Sequence, residues 1–224
     1  MHFNRRSVYY IFMTLEIIKP RRGRPPKNGS ENRDTKAELI RSGLEQLTES
    51  GFSASGIDSI LKKIGVPKGS FYHYFTSKEA FGLAVLESYA NYFSKKLDNY
   101  LVDEAYAPLM RIKNFVENAK SGIEYHQFKR GCLVGNLGQE IDLLPDSFRP
   151  ILMAIFINWE TKIADCLKAA QIKGQIANDA NCEQLAEYFW IGWEGAVART
   201  RLVKSSRPIS NYIDNFMDGL PQPN

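Results

Sequence analysis

A chain of 224 residues, 44% hydrophobic and 24% charged, carries enough apolar side chains for a core of its own, which excludes a disordered segment or a disulfide-stapled scaffold. Its three cysteines, Cys132, Cys166 and Cys182, form no CxxC pair, so neither a disulfide framework nor a Cys-ligated zinc is expected, and a reducing compartment is. The net charge of +4 is unevenly spread, with +7 in residues 1–78 and −3 in residues 79–224, which directs the front of the chain at a polyanion and gives the rest a separate task.

Met1 to Ile18 copies the charged start and apolar middle of a signal peptide. Thr14 and Glu16 break the apolar run, however, and Lys19-Pro20-Arg21-Arg22 follows it instead of a cleavage site. Met13 offers an alternative start. No stretch approaches the ~20 apolar residues of a membrane helix, and a cytoplasmic location with no membrane partner is expected. Residues 1–32 read as a basic flexible arm, because the prolines and glycines of KPRRGRPPKNGS forbid helix and central strand. Its centre, Arg22-Gly23-Arg24-Pro25, resembles an AT-hook, in which flanking arginines lie in a narrow A·T minor groove. Arg22 and Arg24 are therefore candidate DNA contacts.

Thr35-Lys36-Ala37-Glu38 has the form of a capping box and opens a helix carrying Ala37, Ile40, Leu44 and Leu47, which Gly51 stops. Ser55 is placed to cap a second helix with Ile57, Ile60, Leu61 and Ile64, ended by Gly65. A short Gly65-Val66-Pro67 turn leads to a third helix, and two short helices about a glycine turn form a helix-turn-helix. In the third, Phe71 and Phe75 share one face. All five residues from Phe71 to Phe75 are aromatic or imidazole, so some must face outward. Ser70, Tyr72, His73 and Tyr74 suit phosphate hydrogen bonds and apolar contact with thymine methyls, Lys68 adds charge, and Gly69 allows close backbone approach.

Thr76-x-x-Glu79 begins a long fourth helix to about Leu101, and Pro108 a fifth to about His126. An apolar stripe runs from Phe148 through Trp159 to Ala170 in a helix over 147–170, and another helix covers 183–203. The latter is apolar or small nearly all round, so it is expected to be enclosed on more than one side. With Gly192, Gly195 and Ala196 permitting close approach, it and the 147–170 helix make a candidate dimer interface. Dimerisation also suits the front domain, because a pair of third helices would read a palindrome with half-sites ~34 Å apart. Between these helices lies Arg130-Gly131-Cys132-Leu133-Val134-Gly135-Asn136-Leu137-Gly138-Gln139-Glu140, which is no phosphate loop. The chain has no GxSxG, HExxH, nucleotide loop or paired-metal spacing, so no enzyme, cofactor or metal is expected.

The span from Thr35 to about Phe81, above all GVPKGSFYHYFTSKEAF over 65–81, resembles the DNA-binding domain of the tetracycline-repressor (TetR) family of bacterial regulators. The resemblance implies an all-α fold, with a three-helix DNA-binding domain over 33–80 and a helical effector-binding and dimerisation domain over 81–220. It places the third helix in the major groove, Tyr72 and its neighbours on phosphates, and Lys78 as a clamp on the DNA backbone. Many members have His where this chain has Tyr74, one position after its own His73. The 130–140 segment and FWIGWEGAVARTRL over 189–202 resemble a TetR subgroup that responds to small electrophiles or unsaturated acids such as acrylate, with a cysteine at the place of Cys132 as the sensing candidate.

Two readings of Cys132 stay open: a small buried hydrophobe, or a thiolate whose pKa is lowered by Lys129, Arg130 and a helix N-terminus. Asn136, Trp159, Trp190 and Trp193 are candidate effector contacts, the tryptophans standing equally as core. Arg199 and Arg201 could pair with an effector carboxylate. Cys166 reads as core and Cys182 as incidental. The expected function is a dimeric repressor released from a palindromic double-stranded operator by a small-molecule effector. The alternatives are a cysteine-dependent enzyme using Cys132 with His126 or Glu140, and a DNA-binding protein with no effector.

Overall fold

The computed structural model describes residues 34–223, and the arm carrying Arg22 and Arg24 lies outside them. The described residues form nine α-helices, one 3-10 turn and no strand, and from Lys36 onward they make one compact unit. The helix-turn-helix and the C-terminal helices therefore share a continuous core.

Helix α1 (Thr35–Ser50) buries Leu39, Ser42, Gly43, Leu47 and Thr48. The buried face is turned by a residue from the expected one. Ala37 is exposed and Ile40 and Leu44 are half-buried, because the close approach is made at Gly43, where a Cβ would strike the Phe81 ring and Val85. Gly51, with φ of 78°, ends the helix in the left-handed region that glycine tolerates. Helix α2 (Ile57–Ile64) is preceded by Gly56, and Ser55 does not cap it. The Ser55 hydroxyl instead donates to the Gly51 carbonyl at 2.5 Å, closing the loop before the helix. Gly65, left-handed at φ 67°, donates its N–H to the Leu61 carbonyl and turns the chain into α3 (Lys68–Tyr74).

Helix α4 (Lys78–Leu101) is capped by Ser77, one residue later than expected, with the hydroxyl accepting from the Ala80 N–H at 3.0 Å. Pro108 opens α5 (Pro108–Tyr125), its fixed φ suiting the first turn. After α5 the chain reverses through Gln127 and Phe128 at φ of 53° and 60°, two side-chain-bearing residues in the left-handed region. Two elements were not expected. The first is α6 (Leu133–Gln139), which is followed by the 3-10 turn Ile141–Leu143. The second is α9 (Arg207–Asp218), which lies beyond the last expected helix.

Helices α7 (Phe148–Ile172) and α8 (Cys182–Val203) pack along each other, with α9 against α8 and α5 and α4 against α7. Gly192 does not serve as a free surface for a second chain, because Tyr212 of α9 lies against it. An aromatic cluster fills the centre. Ring centroids of Phe93 and Trp159 are 4.4 Å apart, of Trp159 and Trp190 5.1 Å, and of Phe115 and Trp193 5.6 Å. Burial of side chains this large dominates the apolar free energy of such a core.

Candidate DNA interface and effector cavity

Helix α3 is fixed from its inner face. Phe71 meets Phe81 at 5.2 Å and Phe75 at 5.5 Å, and Phe75 meets Phe81 at 5.0 Å, which makes a three-ring anchor between α3 and α4. With the inner face spent on that anchor, Tyr72, His73 and Tyr74 are exposed, and Ser70 is half-buried at the edge. Gly69 stands in open space, where nothing obstructs an approaching backbone. Lys68 pairs with Asp58 of α2 at 3.2 Å, both side chains being solvated. A surface pair of this kind is weak and readily exchanged.

Lys78 is half-buried. Its ammonium sits 4.5 Å from the centroid of the Phe52 ring and 3.5 Å from the Ser53 carbonyl, at the loop between α1 and α2. Partial desolvation there holds its pKa below the usual lysine value, with Glu140 opposing the shift.

A cavity of about 220 Å³ lies behind this domain. Tyr89, Tyr92, Phe93 and Lys96 of α4 form one wall and Ala119, Gly122, Ile123 and His126 of the α5 end another, while Arg130, Gly131 and Cys132, Trp193 and Val197 of α8, and Leu44 and Thr48 of α1 complete it. A ligand here would touch the first helix of the DNA-binding domain directly.

Cys132 lies at this cavity and is the N-cap of α6, its Sγ accepting from the Gly135 N–H at 3.5 Å. The Tyr89 hydroxyl also reaches the sulfur. The expected lowered pKa is not found. Burial pushes the thiol up to about 11, and the hydrogen bonds from Gly135 and Tyr89 only partly offset that. Arg130, expected to favour the thiolate, is turned to α1, where it pairs with Glu45 at 3.4 Å and Glu49 at 3.0 Å.

The other residues singled out in the sequence separate. Trp193 lines the cavity beside Cys132. Trp159 is enclosed in the aromatic cluster. Trp190 belongs to that cluster and lines a second cavity of about 260 Å³ between α7 and α8, with Glu160, Glu187 and Glu194. Asn136 is not among the lining residues. Its amide donates to the Thr48 carbonyl at 3.0 Å, and its oxygen accepts from Arg201 at 3.2 Å. Arg201 also donates to the carbonyls of Glu49, at 3.3 Å, and Lys129, at 3.2 Å, so this guanidinium is engaged with the protein and not with the cavity. Glu140 accepts from the Ser53 N–H at 2.9 Å, away from Cys132, while His126 does line the cavity.

Sequence reasoning missed Tyr89 and Lys96 as wall residues and missed the junction of α6 with the end of α1. The cavity side of α4 could have been found from its position one turn from the buried stripe Val85, Tyr89 and Phe93. The junction is made by residues far apart in sequence and had no local signal.

Residues 39–85 match the family described as bacterial regulatory proteins, tetR family, and residues 108–216 match the tetracyclin repressor-like C-terminal domain. The chain is 46% identical over 198 residues to transcriptional regulator AcuR of Cereibacter sphaeroides, a match covering 88% of this chain and 90% of that protein. It is 30% identical over 182 residues to the repressor DhaR of Mycobacterium sp. strain GP1, with coverages of 81% and 90%. Among solved structures, a regulatory protein TetR from Rhodobacter sphaeroides superimposes with a TM-score of 0.81 at 46% identity over 82% of this chain and 97% of that one. The reduced form of NemR from Escherichia coli superimposes with a TM-score of 0.75 at 26% identity, with coverages of 85% and 99%.

Proposed function

The chain belongs to the tetR family of bacterial regulatory proteins, and on that premise we propose that it is a dimeric, cytoplasmic repressor released from a palindromic operator by a small unsaturated acid or related electrophile. It binds double-stranded DNA through the outward face of α3, with Tyr72, His73, Tyr74 and Ser70 on phosphates and base edges, Lys68, Gly69 and Lys78 at the flanks, and Arg22 and Arg24 of the arm alongside. The three-ring anchor behind α3 supports this reading by leaving the polar tips outside. Two copies associate through α7 and α8, whose exposed Met153, Ile157, Ile191 and Leu202 offer an apolar face.

The observation that carries the effector part is the shared wall: Leu44 and Thr48 of α1 border the same cavity as Cys132 and Trp193. A ligand that demands a different spacing of those walls acts on the DNA-binding domain without an intermediary. Release requires that it bind the released conformation more tightly than the DNA-bound one, since equal affinity shifts nothing. Reversible binding is favoured over covalent capture, because a thiol with a pKa of about 11 is ionised in roughly one molecule in ten thousand at pH 7. An enzyme built on Cys132 is disfavoured as well, because burial keeps the thiol protonated and Glu140 is committed elsewhere.

A mobility-shift titration against DNA from upstream of its own gene, with and without acrylate, tests this reading. Sequence-selective binding that acrylate weakens is the expected result. Binding with no sequence preference, or indifferent to acrylate and to thiol-reactive electrophiles, would overturn it.

A further inference from the structure

The charge on the walls of the effector cavity is one-sided. No carboxylate is among its lining residues, while Lys96, His126 and Arg130 all are; Glu194, which acts on the Cys132 thiol from behind the wall, lines the second cavity instead. Arg130 is committed to Glu45 and Glu49. Arg201, which is not among the lining residues, gives both terminal nitrogens to Asn136 and to backbone carbonyls, its Nε alone being unpartnered. Lys96 differs: among the described residues no carboxylate lies within ion-pair distance of its ammonium. It is half-buried, and desolvation alone pulls its pKa down. Trp193, which lines the same cavity, is buried with its indole N–H unpartnered. Two residues that line one cavity, a desolvated cation and a tryptophan with an orphaned donor, thus both lack an acceptor.

We propose that Lys96 is the anion anchor of the effector site, its ammonium taking the carboxylate of a small unsaturated acid whose carbon chain lies against Trp193, Phe93 and the Cys132 thiol. This rests on the reading of the cavity as a site for such an effector and adds the residue that recognises its charge. The carboxylate supplies the counter-charge that the folded chain does not. A neutral ligand of the same shape leaves Lys96 desolvated and unpaired, so charge and not size sets the selectivity.

Isothermal titration of the full-length protein with acrylate, its neutral isostere acrylamide and the saturated acid propionate tests the assignment, using wild type, Lys96→Met and Lys96→Arg. Acrylate is expected to bind wild type at least tenfold more tightly than acrylamide, Lys96→Met to lose that preference with a melting temperature no lower than that of wild type, and Lys96→Arg to recover most of it. Acrylamide binding as tightly as acrylate would overturn the carboxylate class. Acrylate binding Lys96→Met as it binds wild type would overturn Lys96 while leaving an acid effector in place. Wild type taking up none of the three ligands would overturn both this assignment and the effector reading beneath it.

Discussion

The side-chain amide of Asn136 on α6 donates to the main-chain carbonyl of Thr48 on α1 across 3.0 Å, tying the helix that starts at Cys132 to the last turn of the first DNA-binding helix. Arg201 holds the same Asn136 from the other side and itself grips the Glu49 carbonyl. Cavity wall, α6 and α1 thus form one continuous polar contact.

Breaking that contact should uncouple the two sites. Asn136→Ala is expected to leave acrylate affinity within about twofold of wild type while shrinking the effect of acrylate on DNA affinity by about tenfold, or ~1.4 kcal/mol of coupling. Titration calorimetry reads the first quantity and fluorescence anisotropy of labelled DNA the second. An undiminished effect on DNA would place the coupling elsewhere.

The two faces of α3 should separate stability from DNA binding. Phe71→Ala empties the ring anchor and should cost ~3–5 kcal/mol of stability by denaturant melting. Tyr72→Phe keeps the ring and removes one exposed hydroxyl. It should leave melting unchanged and weaken DNA binding several-fold, about 0.5–1.5 kcal/mol. A Tyr72→Phe protein that binds DNA as wild type would remove this hydroxyl from the interface.

The raised pKa of Cys132 makes its chemistry slow. Alkylation by iodoacetamide, followed by mass spectrometry of the Cys132 peptide, should accelerate about tenfold per pH unit from neutrality towards a pKa of about 11. Cys132→Ser, which loses an apolar contact with the ligand but no bond to it, should still be released from DNA at saturating acrylate. Loss of that response would favour covalent sensing over reversible binding.

Glu194 is pushed from 4.5 to about 7, first by burial and then by Glu160 across the second cavity. A carboxyl whose folded pKa lies above its unfolded value holds its proton better in the native state. Its contribution therefore declines as pH rises from about 4.5 through about 7 and is lowest above that. Glu194→Gln, which mimics the protonated form, should raise stability by about 1–2 kcal/mol above pH 7, after allowance for screening on its solvated side, and by nothing near pH 4. Urea melts at the two pH values decide it, and a pH-independent effect would mean that Glu194 titrates normally in the folded chain.

The DNA-binding half was legible because its signals are local. Gly65 marks the turn, Phe71 and Phe75 mark the inner face, and what they exclude is the outer face. Helix α6 was not legible: seven residues with Gly135 and Gly138 among them have poor intrinsic helicity, and tertiary packing of Leu133, Val134 and Leu137 holds them helical. Helix α9 had a readable pattern in Ile209, Ile213, Phe216 and Met217 after Pro208, in a stretch short enough to pass for a tail. Cys132 could be named from the sequence. The sign of its pKa shift could not, because that depends on how deeply the fold buries the sulfur and where Arg130 turns.

The wall shared by α1 and the cavity also constrains how this protein can diversify. Leu44 and Thr48 border the ligand space from within the DNA-binding domain, so a change there made to accept a new effector is felt at once by the operator-binding half. The wall supplied by α5 carries no such double duty. Substitutions that retune inducer choice should accumulate on that helix in lineages descended from this chain, while the α1 side stays fixed.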